Sequence, residues 1–138
     1  MFLIFSCDRE NEKLEIIIQE YQNHEAYDYK DYPLGNFSEE HFRSEKEFAE
    51  NLLVKLSYID VKKLDENDNI SFELLSFVLE DIVAYYDFER FLNPLLSDSG
   101  FHSSLVYNVR PMYNYKQIKN YLNKLNSIPQ YVDQYLPL

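Results

Sequence analysis

With 138 residues the chain has the length of one domain, and a chain of about 150 residues buries roughly 70% of its unfolded surface, enough for a real core. A hydrophobic content of 46%, with 17% aromatic residues, excludes a disordered tail, and only 2 Gly and 5 Pro argue against a turn-dense all-β architecture. The formal charge of −11 argues against nucleic-acid wrapping, which needs Lys and Arg to displace phosphate counterions, and against an anionic membrane surface.

Residues 1–7, M-F-L-I-F-S-C, are apolar but lack a basic flank, and are far shorter than the roughly 20 residues a membrane span requires. Ile4-Phe5-Ser6-Cys7 looks like the tail of a bacterial lipoprotein signal. On that reading residues 1–9 are a tail or signal remnant, Cys7 is the lipidation site, and Asp8 to Glu12 form a polar tether. The competing expectation is an ordinary N-terminal strand or helix start that packs Phe2, Leu3 and Phe5. Cys7 is the only cysteine, so no internal disulfide can form.

From Glu10 to about Asn23, Leu14, Ile17, Ile18 and Tyr21 trace one helical face, with Glu12, Lys13, Glu15, Gln19 and Glu20 opposite. The stretch Tyr27 to Phe37 alternates tyrosine with charge and meets Pro33 and Gly35, which predicts a connecting loop. Ser38 is a suitable N-cap, with Glu39 and Glu40 at the positive end of the helix dipole. Phe42, Ala49, Leu52, Leu53, Leu56 and Ile59 then define a second long helix. An acidic turn follows, in which Asp68 or Asn69 is placed to cap a third helix. Leu74, Leu75, Val78, Leu79, Ile82 and Tyr86 recur there at three- and four-residue spacings, which makes this helix central to the core.

Phe88 to Met112 contains Pro94, Gly100 and Pro111 and shows no sustained period, so it reads as one long loop. Within it a short helix at Leu92 to Leu96 and a short strand through Leu105, Val106, Tyr107 and Val109 are the local options. Asn114 caps a helix carrying Ile118, Tyr121, Leu122 and Leu125. Pro129 suits the first turn of a final helix, whose apolar side continues through Val132, Tyr135 and Leu136. These elements predict an all-α fold, an irregular bundle of four to six helices with one long loop, over residues 10–138.

Catalytic signals are sparse. His24-Glu25 opens like a zinc-peptidase motif, but Asp28 stands where the second histidine belongs, and His41 and His102 show no ligand spacing. The carboxylate pairs Glu39–Glu40, Asp65–Glu66 and Glu80–Asp81 fall in turns or on polar helix faces, where solvated charge is expected rather than acid–base chemistry. There is no glycine-rich phosphate loop, and Cys7 has no histidine partner that would mark a nucleophile. No catalytic, cofactor-binding or metal-ligating residue is therefore expected in this chain, and Cys7 stands alone as a modification site.

The stretch with Ile59-Asp60, Leu64, Asp68, Ile70, Phe72 and Leu74-Leu75 resembles the N-terminal part of the bacterial family catalogued as domain of unknown function 885. The runs Tyr115 to Leu125 and Ile128-Pro129-Gln130-Tyr131-Val132-Asp133-Gln134 resemble that family's next helical pair, in the same order and spacing. The resemblance implies a much longer, zinc-peptidase-like protein whose His-Glu element, followed by Pro-Gly-His, lies in a C-terminal half. No such element occurs in this sequence. The implied role is a non-catalytic N-terminal helical portion that supports or lines a substrate cleft. Its implied partners are the C-terminal half, which would carry the zinc, and a peptide substrate of the full-length protein. The alternative is a free-standing helical binding module or small lipoprotein. A periplasmic or membrane-anchored location follows from lipidation at Cys7, and a cytoplasmic one from its absence.

Overall fold

The computed structural model describes residues 5–24, 29–93 and 110–136, excepting the side chains of residues 5–9. Among the described residues there are five α-helices, two short 3-10 turns and no strand, an all-α architecture. The helices are α1 (Phe5–Gln22), α2 (Glu39–Leu56), α3 (Glu66–Asp87), α4 (Tyr115–Asn126) and α5 (Ile128–Asp133). The chain divides into two compact units, Met1–Glu25 with Arg43–Phe88, and Ala26–Phe42 with Glu89–Leu138.

The first unit has a three-helix core. Leu14 and Ile17 of α1, Ala49, Leu52 and Leu56 of α2, Ile59 of the following turn, and Leu75 and Leu79 of α3 are all buried. Ile18, Tyr21, Leu53 and Ile82 pack partly buried around them. The predicted stripes of α1 and α2 are thus the ones that meet. α1 starts at Phe5, so Asp8 to Glu12 lies within a helix; Lys13 pairs with Glu10 one turn back at 2.6 Å, a spacing that supports helix.

Two local expectations change. α3 starts at Glu66, capped by Asp65, whose Oδ1 accepts the Asp68 N–H at 2.9 Å; Asp68 and Asn69 already lie inside the helix. An aspartate three residues before a free N–H caps as well as a later one, and the earlier start adds a turn of hydrogen bonds. Leu74 is 62% exposed, and Val78 and Ile82 are only half-buried, so the core face of α3 is centred on Leu75 and Leu79.

In the second unit, Asn114 caps α4 by accepting the Gln117 N–H at 2.9 Å, and Pro129 lies in the first turn of α5, both as predicted. Ser38 Oγ accepts the His41 N–H at 3.3 Å at the start of α2. No residue of α4 is buried, and its apolar row Ile118, Leu122 and Leu125 is exposed. The expected loop begins with a 3-10 turn at Arg90–Leu92. The remainder of the expected short helix and the expected strand at Leu105 to Val109 lie outside the described residues.

Candidate functional site

A concave surface in the second unit is built from the loop before α2, the turn at Phe91–Leu92 and the end of α5. Its cavity, about 340 Å³, is lined by Phe37, Ser38, Glu39, Phe91, Leu92, Asp133, Gln134 and Tyr135. Gly35 makes this loop possible. Its φ of +104° is strained for any residue with a side chain, and a Cβ there would stand 2.5 Å from Phe37 Cε2. The Gly35 N–H donates to the Tyr32 carbonyl at 3.0 Å, closing the turn.

The glycine lets the Phe37 ring settle on α5. Phe37 meets Tyr131 edge-on at 5.5 Å and Tyr135 at 5.1 Å, and the two tyrosines meet each other at 5.2 Å. Tyr131, 4% exposed, is the centre of this cluster. Gln134 locks the arrangement: its Oε1 accepts the Phe37 N–H, and its Nε2 donates to the Gly35 carbonyl at 3.4 Å. On the other side Phe91 stacks on Phe42, with centroids 5.3 Å apart. The result is an aromatic floor with Glu39 and Asp133 among its lining carboxylates.

The site has no nucleophile–base pair among its described lining residues, and it was not legible as a site in the sequence. Phe37, Ser38 and Gly35 are visible there only as loop and cap residues, Gln134 and Tyr135 only as part of the final helix, and Phe91 carries no motif.

The residues that the sequence singled out lie elsewhere. His24 is held structurally: its ring stacks on Phe48 with centroids 3.7 Å apart and 12° between planes, and its Nε2 lies 2.8 Å from Glu45 Oε1. His41 packs beside Phe42 at 5.2 Å. Glu25 and His102 lie outside the described residues. Cys7 falls in the first turns of α1, and its side chain lies outside the described ones. Among the described residues no group of three or more His, Cys, Asp or Glu is arranged to hold a metal ion, and no helix is long and apolar enough to cross a membrane. The carboxylates of Glu39, Glu40, Glu80 and Asp81 are exposed, while Asp65 is the α3 cap.

Three carboxylates in the first unit are perturbed, Asp60 being held below the ordinary aspartate range by its hydrogen bond with the Lys63 ammonium. Glu10 is held below the ordinary glutamate range by the Lys13 ammonium and by the Asp60 N–H, which donates to Glu10 Oε2 at 3.2 Å. Asp68 is pushed up by burial and by the neighbouring charges of Asp65 and Glu15.

The described residues are thus all-helical apart from turns and loops, with an aromatic cleft in the second unit. The chain belongs to the family described as bacterial protein of unknown function (DUF885), whose model matches residues 21–137. No curated protein and no solved structure matches it.

Proposed function

We propose that this chain is the non-catalytic helical portion of a longer, zinc-peptidase-like protein of its family, and that its aromatic cleft lines the substrate path. The observation that carries the reading is the cleft itself. Phe37, Phe91 and Tyr135 offer flat apolar surface to a passing chain, and Glu39 and Asp133 offer charge. Zinc and the residues that polarise the scissile carbonyl would come from a C-terminal half. Wall residues of this kind bind substrate and transition state alike, so they act on KM rather than kcat.

The test is to express the full open reading frame that contains this chain and to measure zinc content and peptide hydrolysis. A frame that continues into a His-Glu element followed by Pro-Gly-His, with stoichiometric zinc and activity, fits the reading. In that protein Tyr135→Ala is expected to raise KM about threefold or more with kcat little changed. A frame that stops at Leu138, or zinc bound by the isolated chain, overturns it. A second reading, a free-standing helical binding module, is favoured by the exposed apolar row Ile70, Leu74 and Phe77 on α3. Lipidation at Cys7 belongs to either reading. It would be seen as palmitate labelling that Cys7→Ser abolishes.

A further inference from the structure

The helix α3 is apolar on two opposite faces. Leu75 and Leu79 point into the three-helix core, whereas Ile70, Leu74 and Phe77, at i, i+4 and i+7, are 59%, 62% and 68% exposed. At 3.6 residues per turn the two rows are separated by roughly 150° around the helix axis. Phe88, just past the helix end, is 75% exposed. Single exposed apolar side chains are ordinary on a protein surface, but a row on consecutive turns is the pattern a helix presents to a partner.

The charge around the row states which partner. The α3 segment carries six acidic residues and no Lys or Arg, and Glu66 and Glu73 flank the outer row as exposed carboxylates. A second copy laid on this face would bring the exposed Glu66, Glu73 and Asp81 against their counterparts, between chains that each carry −11. We infer that the outer face of α3 is a docking surface for a cationic amphipathic helix of another protein. Apolar side chains on that helix, at the same spacing, interleave with Ile70, Leu74 and Phe77, and its flanking Lys or Arg residues meet Glu66 and Glu73. This does not depend on the cleft or on the peptidase-like reading.

The test uses two fluorescent, designed helical peptides with the same leucine row, one flanked by lysines and the other by glutamates, titrated with the full chain. The lysine peptide is expected to bind one to one and more weakly as salt rises, and the glutamate peptide not to bind. Phe77→Asp separates docking from mere attraction to an acidic protein. It adds negative charge, so nonspecific binding would hold or strengthen, whereas docking on the row weakens about tenfold or more. Leu74→Asp is the second variant, read beside thermal melts of both. Equal binding of the two peptides, or lysine-peptide binding that both substitutions leave intact, overturns the proposal. So does a wild-type chain that sediments as a dimer and that Phe77→Asp converts to monomer, because the occupant would then be a second copy.

Discussion

Gly35 and Glu10 show how single residues hold the two units. At Gly35 a methyl group meets two costs together, a left-handed backbone and a Cβ 2.5 Å from the Phe37 ring. Gly35→Ala is therefore expected to destabilise the chain by about 1–3 kcal/mol, read as a lowered urea midpoint, and to loosen the Phe37–Tyr135 contact. Glu10, 8% exposed, ties α1 to the turn after α2 by accepting the Asp60 N–H. Because its folded pKa is depressed, its contribution is fully present above the ordinary glutamate value of 4.5 and is lost as pH falls through the lower folded value. Asp68 is shifted upward and acts in the opposite sense, favouring the folded state as pH falls toward and below its ordinary value of 3.8. Urea melts from pH 7 to pH 3 should show the gap between wild type and Glu10→Gln constant at neutral pH and closing on the acid side. A gap independent of pH would show that the carboxylate charge is not what Glu10 contributes.

At the scale of the element, periodicity located the helices but could not say how many partners each has. Leu14, Ile17, Leu52 and Leu56 were readable as core because each lies on a single apolar stripe that meets another. On α3 two rows overlap in sequence, Leu74 beside Leu75, and a reading by spacing merges them into one face; only the packing separates Leu75 from Leu74. The same limit applies to α4, where the row Ile118, Leu122 and Leu125 was legible and its exposure was not. The cleft was less legible still, since Phe37 and Tyr135 are ninety-eight positions apart and meet through a glycine turn that sequence marks only as a break. Truncation distinguishes the two rows of α3. Leu79→Ala, at 0% exposure, should cost about 2–5 kcal/mol through lost transfer energy and a residual cavity. Leu74→Ala should stay within about 0.5 kcal/mol of wild type in urea unfolding.

For the molecule as a whole, the two units differ in what holds them closed. The first buries eight residues in one cluster, seven from three long helices and Ile59 from the turn after α2. Among the described residues of the second, Tyr131 is the buried side chain, supported by Phe37, Tyr135 and the Gln134 hydrogen bonds, while α4 contributes none. Burial of apolar area sets the free energy of local opening, so the units should exchange amide protons at different levels. Amides of α3 around Leu75 and Leu79 are expected to exchange only through global unfolding, and those of α4 and α5 through a smaller opening that Tyr131→Ala makes easier. Native-state hydrogen exchange in low urea checks this: protection in α4 and α5 should show little denaturant dependence, and protection at Leu79 the full dependence. One common protection level and slope across both units would show that they open together, and that the thin aromatic core of the second is not what limits it.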